Sequence, residues 1–229
     1  MKNTEWGAVA YLSHSKYGIN YEIRINNNNS FKTGYAATTG SGSSSATNVA
    51  MWNTPTGYLA STTGNITGVY DMSGGAVELV MGVQADESGQ PLSGRHNIYN
   101  SGFNGKLGCP TCDPSVSGVD SSITKIIDGM NFPDSKYYDI YKYDEVNTSR
   151  KRRILGDAAG ELGPFKISSI NNSPISSWYS DNAYFVYNIN PWISRGGYIN
   201  NQNNAGVFYY GAHVGHASNT SSFRIIFAI

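Results

Sequence analysis

Two short motifs carry residue types that bind metals or change redox state. Cys109 and Cys112 form a Cys-Pro-Thr-Cys motif, and His213 and His216 form a His-x-x-His motif. A redox dithiol is expected at the start of a helix, and a zinc site needs further soft ligands. The Gly, Asn and Pro residues around the cysteines instead favour a loop, with either a small disulfide or two free thiols. The histidines have no acidic residue near them in the sequence, which favours two imidazoles on a recognition surface over a metal pair.

Hydrolytic chemistry has candidate residue types but no recognisable arrangement. Ser, His and Asp all occur, yet no G-x-S-x-G nucleophile elbow accompanies them. Glycoside hydrolysis needs two facing carboxylates. The candidates are Asp71, Glu78, Asp157, Glu161 and Asp181. The basic run at residues 150–153 is interpreted as a solvated turn, with a nucleic-acid or proteolytic role as the alternative.

The stretch from residue 193 to residue 222 has the composition of a binding surface. It contains one charged residue, Arg195, and is rich in Tyr, Asn, Ser and Gly. Tyr gives a large contact area at low entropy cost, and small polar side chains adjust their hydrogen bonds. A polar loop without a function is the alternative interpretation.

Nine residues of this stretch are predicted to be exposed on one face and to bind a ligand. They are Ser194, Tyr198, Asn200, Asn201, Tyr209, Tyr210, His213, His216 and Asn219. The three tyrosines are the expected anchors, because aromatic residues dominate binding hot spots. Phe208, Phe223 and Ile225 are expected to be buried beneath them.

The composition limits the class of partner. The 229 residues have a formal net charge of zero, and charged residues make up 14%, against roughly 25% in an average soluble domain. Nucleic acids and anionic membranes attract basic surfaces, so neither is an expected partner. The apolar runs are too short for direct membrane insertion, and 13% aromatic residues argue against disorder.

The elements that must position these residues are two helices and many short strands. A helix is predicted at Thr4–Lys16, before the stop signal Gly18, and another at Ser121–Met130, where Ile and Met fall at helical spacing. A third is considered at Ser135–Tyr143. Strands are predicted at Tyr21–Ile25, Val77–Val83, Phe165–Ile167, Ala183–Val186, Gly206–Tyr209 and Phe223–Phe227. Long polar connections between them predict an α+β fold with high loop content, in a single domain over residues 1–229.

Two separated segments together resemble a family signature. Residues 65–78 read NITGVYDMSGGAVE, and RGG at 195–197 is followed by SFRII at 222–226. These segments are similar to GLYDM-(S/A)-GN-(V/A)-WE and RGG(S/N)…(G/S)FR-(V/L) of the formylglycine-generating-enzyme superfamily. The resemblance implies its C-type-lectin-like fold, with small twisted antiparallel sheets, two helices and long loops. It also implies that the two segments lie close together and that Phe223–Phe227 is a central strand.

Departures from the signature imply the scaffold without the family's catalysis. Its oxidases carry a catalytic cysteine pair between RGG and the last strand, whereas residues 193–222 contain no cysteine. Val77 and Leu79 also replace the aromatic residues that usually flank Glu78. We therefore expect no enzymatic activity. Asp71 and Glu78 would hydrogen-bond loops or hold a structural Ca²⁺ ion, and no other cofactor is expected.

The stretch 193–222 further resembles the variable region of diversity-generating-retroelement proteins, which use the same fold. Their randomised AAY codons never encode Lys, Glu, Gln, Met or Trp, and here only Gln202 departs from that rule. The resemblance implies a hypervariable segment at about 193–221 that recognises a protein or glycan receptor. It also implies an extracellular location, on a bacterial surface or a phage virion. An unrecognised enzyme of the superfamily and an inert module of a pilus or tail fibre are the alternatives.

Overall fold

The described part of the chain combines an α-helix with short strands and 3₁₀ helices. The computed structural model describes residues 1–26, 36–37, 44–45, 51–84, 135–141, 175–176, 178–184, 186, 190–213 and 220–226. The helix is α1 (Asn3–Leu12), and 3₁₀ helices span Gly57–Ala60, Ser135–Tyr137, Trp178–Ser180 and Ile199–Asn204. The strands are β1 (Ala36–Ala37), β2 (Ser44–Ser45), β3 (Val77–Gln84), β4 (Asp139–Tyr141), β5 (Ile175–Ser176), β6 (Asn182–Ala183), β7 (Trp192–Gly196), β8 (Gly206–His213) and β9 (Ser221–Ser222). The predicted mixture of helix and sheet is confirmed.

Helix α1 is shorter than the sequence predicts. The expected helix at Thr4–Lys16 is present, but it ends at Leu12. The Ser13 hydroxyl donates to the Ala10 carbonyl at 2.5 Å, and the next backbone N–H groups bond three residues back instead of four. A side chain that competes for the helix carbonyls in this way ends the regular helix. None of the helices that the structure describes has the length and apolarity needed to cross a bilayer.

Seven of the described strands form one sheet with β3, β7 and β8 in its interior. The strand order is β4-β3-β7-β8-β6-β5, and β9 also pairs with β3. β7 runs antiparallel to both β3 and β8. β3 and β8 confirm the strands predicted at Val77–Val83 and Gly206–Tyr209. Of the strand predicted at Ala183–Val186, Ala183 lies in β6, whereas Tyr184 and Val186 lie outside the strands.

The hydrophobic core joins α1 to this sheet. Trp6 of α1 is fully buried, and its indole N–H donates to the Val207 carbonyl of β8 at 2.9 Å. Met72, Ile193 and Phe208 belong to the same buried cluster. The burial of each such aromatic or aliphatic side chain contributes roughly 1.5–3 kcal/mol to the stability of the fold. The strands β7 and β8 are therefore fixed to the core, together with the ends of the segment that connects them.

The segment Tyr21–Ile25, predicted as a strand, does not join a sheet. Its backbone bonds to loops instead, because the Arg24 N–H donates to the Leu59 carbonyl at 2.8 Å. Just after the segment, Asn26 donates its N–H to the Ser73 carbonyl at 2.8 Å. The segment is therefore fixed to loops of the fold without being part of a regular ladder.

The C-terminal segment also departs from expectation. The predicted central strand at Phe223–Phe227 is wrong over its described part, because β9 ends before it. The Arg224 side chain turns inwards to the Glu78 carboxylate. Since alternate side chains of a segment that continues a strand point to opposite sides, Phe223 and Ile225 face outwards. They are 75% and 67% exposed instead of buried.

The region considered as a third helix, Ser135–Tyr143, is described at residues 135–141, where it forms a single 3₁₀ turn followed by β4. β4 pairs with β3, and its Tyr141 hydroxyl accepts a hydrogen bond from the Asn3 side-chain amide at 2.6 Å. These tertiary contacts override a weak local helical pattern. The helix predicted at Ser121–Met130, the strand at Phe165–Ile167, and Cys109 and Cys112 lie outside the described residues.

Candidate functional site

The two signature segments meet in the sheet, as predicted. Glu78 of β3 stands opposite Arg195 of β7, and the Gly74 N–H donates to the Gly196 carbonyl at 2.9 Å. Arg224 pairs with the Glu78 carboxylate and donates to two backbone carbonyls of the first segment at 3.3 Å. Three distant parts of the sequence are thereby joined in one half-buried cluster.

Arg195 is fully buried, and its guanidinium lies over two aromatic rings. It is 4.8 Å from the centre of the Tyr210 ring and 5.8 Å from that of Trp6. Such cation–π contacts stabilise a guanidinium that has left water. The position of Arg195 therefore indicates a structural role within the fold.

The acidic residues of the signature do not form a cation cluster. Over the part of the chain that the structure describes, no three His, Cys, Asp or Glu side chains gather closely enough to hold a metal ion. The carboxylate of Glu78 is engaged by Arg224. This arrangement corresponds to the loop-bonding role expected for Glu78.

The predicted binding residues differ in their exposure. Asn200 is exposed, and Tyr198, Asn201, Tyr209 and His213 are partly exposed. Burial raises the pKa of Tyr209 to about 12, and the neighbouring Tyr198 adds to the effect. His216 and Asn219 lie outside the described residues.

Two of the nine residues are in the interior, so the expectation of exposure is wrong for them. Ser194 is 3% exposed and Tyr210 is 0% exposed. Both lie on inner strands, where Ser194 pairs with Gly211 and the Tyr210 ring covers the guanidinium of Arg195. Phe208, expected beneath the surface, is fully buried. Phe208 and Tyr210 share the buried face of β8, because every second side chain of a strand points to the same side, whereas Tyr209 and His213 lie on the other, partly exposed face.

Among the described residues of the stretch 193–222, the fully exposed ones lie on the 3₁₀ helix that connects β7 to β8. Ile199 anchors its start, since this side chain is buried and its N–H donates to the Gly75 carbonyl at 2.9 Å. The Asn201 side chain accepts the Tyr198 N–H at 2.8 Å. Asn200, Gln202, Asn203 and Asn204 are exposed. We call residues 200–204 the amide turn, because every side chain in it is a carboxamide.

A groove of about 1120 Å³ lies beside the amide turn. Three segments line it, together with Leu59: residues 21–25, the turn at 179–180 and the end of the amide turn. The lining residues are Tyr21, Glu22, Ile23, Arg24, Ile25, Leu59, Tyr179, Ser180, Asn203 and Asn204. The volume is slightly above the range of about 300–1,000 Å³ that is typical of small-ligand sites.

Backbone strain concentrates around this groove. Five described residues other than glycine have a positive φ, and four of them lie in or directly beside the lining segments. They are Asn20 (58°), Tyr179 (62°), Ser180 (67°) and Gln202 (49°). A left-handed backbone costs a residue with a side chain about 1–3 kcal/mol and persists where its surroundings enforce it, often at ligand sites. The strain marks the groove as a candidate binding site.

Tyr179 is held in place by a short chain of hydrogen bonds. Because the Ser13 hydroxyl donates to a helix carbonyl, its oxygen accepts from His14 Nδ1 at 2.9 Å. That pattern assigns the proton of the neutral imidazole to Nδ1 and leaves Nε2 as the acceptor for the Tyr179 hydroxyl, at 2.8 Å. The His14 ring also packs against Trp178 and Phe208, with centres 4.8 and 5.1 Å away. The end of α1 therefore fixes the Tyr179 side chain at the wall of the groove.

Burial shifts the pKa values of the ionisable side chains around the groove towards their neutral forms. Burial lowers the pKa of His14 and raises the pKa of Glu22. It also raises the pKa of Tyr179, with smaller contributions from the charges of Glu22 and Asp181. Behind the turn, burial raises the pKa of Asp181 to about 8, although the Phe208 N–H donates to its carboxylate at 2.9 Å.

Reasoning from sequence did not find the groove. Tyr21, Glu22 and Arg24 belong to a segment predicted as a plain strand, and Tyr179 lies in a stretch for which no element is predicted. Their aromatic and polar types are a weak signal, because such residues are common on surfaces. The left-handed backbone of Tyr179 cannot be read from its residue type, since such a conformation is rare for a large side chain.

Comparison with known protein families, with curated proteins and with solved structures finds no match to this chain. The site is accordingly described from its own geometry. It consists of a groove lined by aromatic and carboxamide side chains, with left-handed backbone residues in and beside the lining. The exposed amide turn lies next to the groove, between the strands β7 and β8.

Proposed function

We propose that this chain is a non-enzymatic ligand-binding protein that displays a variable recognition surface on a C-type-lectin-like scaffold. The observation that carries the proposal is the amide turn. Four of its five side chains are exposed and Asn201 is partly exposed, while Ile199 and the strands on either side fix its backbone to the core. Changes to exposed side chains usually alter the free energy of unfolding by less than about 0.5 kcal/mol. Such a turn can carry many sequences without unfolding the protein.

The proposed partner is a protein or glycan receptor, met on a bacterial surface or by a phage virion. The resemblance to diversity-generating-retroelement proteins supports this, as does a surface rich in carboxamides and tyrosines. In the proposed site, Tyr198, Asn200, Asn201, Tyr209 and His213 contact the ligand, together with His216 and Asn219. Ser194 and Tyr210 are buried in β7 and β8 and support the fold instead.

Tolerance to variation is tested with two matched libraries. In one, Asn200, Asn201 and Asn203 are randomised to the residues that AAY codons can reach. In the control, Ser194 and Tyr210 are randomised in the same way. Most members of the first library should melt within a few degrees of the parent, and most of the second should unfold. Equal tolerance in both libraries would contradict the distinction between the variable amide turn and the buried residues Ser194 and Tyr210.

Binding is tested with fluorescently labelled protein on a panel of whole bacterial cells. Replacing Asn200, Asn203 and Asn204 together by Ala should abolish labelling at an unchanged melting temperature. The exposed Tyr137, which lies outside the groove, provides the control Tyr137→Ala, which should label cells as the parent does. Labelling that survives the triple substitution sinks the proposal. Diversification itself predicts a near-copy of the gene's 3′ end, differing at adenines, beside a reverse-transcriptase gene.

A further inference from the structure

We propose that the groove beside the amide turn is a saccharide site that takes a neutral sugar ring against Tyr179. The inference rests on the proposed function, because it names the ligand class of the same surface. It adds residues from two segments, 21–25 and 179–180, that are remote from the variable stretch. None of these residues is among the nine predicted from the sequence.

The lining combines the groups that a sugar requires. Tyr21 and Tyr179 are 51% and 39% exposed, so each presents part of an aromatic ring to a ligand. A pyranose has an apolar face of C–H groups that such a ring can cover, with hydroxyl groups around its edge. Asn203 and Asn204 each supply donors and an acceptor, which matches hydroxyl groups that both donate and accept. The volume of about 1120 Å³ accommodates more than one ring.

Balanced charge favours a neutral ligand over an anionic one. Among the lining residues, Glu22 and Arg24 carry the ionisable carboxyl and guanidinium groups, and their formal charges cancel. A phosphate or a nucleotide is recognised by an excess of cationic groups. A carboxylate at Glu22 also opposes an anion at this position.

An extended peptide is less well matched than a sugar. A peptide that adds as a strand needs backbone N–H and C=O groups along an edge. The backbone beside the groove is already used inside the fold, since the Asn20 N–H donates to Ser13 at 2.7 Å and the Arg24 N–H to Leu59 at 2.8 Å. The polar groups that line the groove therefore belong largely to side chains.

The Tyr179 ring is in place before a ligand arrives. Tyr179 and Ser180 have left-handed backbones, with φ of 62° and 67°. The hydrogen bond to His14 Nε2 holds the Tyr179 side chain in this position. A ring that is already fixed loses little conformational entropy on binding. Affinity for a weakly polar sugar face depends on this kind of preorganisation.

The test uses neutral oligosaccharides of glucose, galactose, mannose, N-acetylglucosamine and fucose, with saturation-transfer NMR as the readout. The key variant is Tyr179→Asn, because Asn tolerates the left-handed backbone while it removes both the ring and the hydroxyl group that bonds to His14. It should lose at least about tenfold in affinity at an unchanged or higher melting temperature. Tyr179→Phe keeps the ring but loses the hydrogen bond that fixes it, so it should bind more weakly than the parent and more tightly than Tyr179→Asn, and Tyr137→Ala should bind as the parent does.

The outcomes separate this inference from the proposed function. Sugar binding that Tyr179→Asn removes and Tyr137→Ala leaves intact supports the site. If no sugar in the panel binds, while whole cells are still labelled through the amide turn, the saccharide inference is overturned and the proposed function stands. Cell labelling that protease treatment of the cells removes, and periodate oxidation does not, indicates a protein partner and equally overturns it. If neither sugars nor cells bind, both proposals fail.

Discussion

Asp181 should make the stability of the fold depend on pH. Its carboxyl group is 1% exposed, directly behind the turn that carries Tyr179. Burial raises its pKa from the ordinary value of 3.8 to about 8, and Glu22 adds to this. The Phe208 N–H and the charge of Arg195 act in the opposite direction but do not cancel the effect of burial. The folded protein therefore holds a neutral carboxylic acid at neutral pH.

The sign of the effect follows from proton binding. Between pH 4 and pH 8 the folded state binds the Asp181 proton more tightly than the unfolded state, so the free energy of unfolding falls as pH rises. At about 1.4 kcal/mol for each pH unit, the loss reaches an upper limit of about 5 kcal/mol at pH 8. The isosteric variant Asp181→Asn does not titrate, and its carboxamide oxygen can still accept the Phe208 N–H. It should match the wild type near pH 4 and exceed its stability at pH 8.

Urea unfolding of both proteins at one-unit steps from pH 4 to pH 8 measures this difference. Burial lowers the pKa of His14 below 6.5, which reduces stability as pH falls, but this contribution is common to both proteins and cancels in the comparison. The expected result is a gap between wild type and Asp181→Asn that widens steadily with pH. Parallel pH profiles, or a wild type that gains on the variant above pH 6, would refute a buried neutral carboxyl at Asp181.

Three further predictions follow from the packing. Arg224→Met should destabilise the protein by about 3 kcal/mol, because it leaves the Glu78 carboxylate buried without its ion-pair partner; adding Glu78→Gln should recover part of this loss in urea unfolding. Gly206→Ala should prevent folding or lower the melting temperature strongly, since the new Cβ would lie 2.0 Å from a buried carboxylate oxygen; a variant with parental circular dichroism and melting temperature would contradict this packing. Phe223→Ser should change the unfolding free energy by less than about 0.5 kcal/mol, whereas Phe208→Ala should cost about 3–5 kcal/mol; equal losses would restore the C-terminal segment to the core.

Several features of the fold could be predicted from local sequence pattern. The strand Val77–Val83 is an apolar run, and α1 has a polar start and a turn signal shortly after its end. These two features succeed because strand and helix preferences act over a few residues. The proximity of the two signature segments, which is expected from the family resemblance and not from local pattern, is confirmed by the pairing of Glu78 with Arg195.

The C-terminal segment and the region after Ser135 could not be predicted in this way. The largely apolar sequence FRIIF at 223–227 predicts a core strand. The Arg224 side chain, however, points inwards to Glu78, and this places Phe223 on the outside. The choice depends on a contact with a residue 146 positions away in the sequence. In the same manner, pairing with β3 determines that Asp139–Tyr141 is a strand and not a helix.

The sequence by itself determined the composition of the recognition surface, and the tertiary structure decided which residues reach it. The run of carboxamides at 200–204 is visible in the sequence, and its exposure follows from its polarity. Ser194 and Tyr210 have equally suitable side chains, yet both are buried. Every residue of the inner strand β7 is covered, and Tyr210 lies with Phe208 on the buried face of β8. The groove arises only when Tyr21, Tyr179 and the amide turn are brought together from three distant segments. The physical reason is that burial and strain depend on neighbours remote in sequence, whereas residue type and spacing report only on local preference.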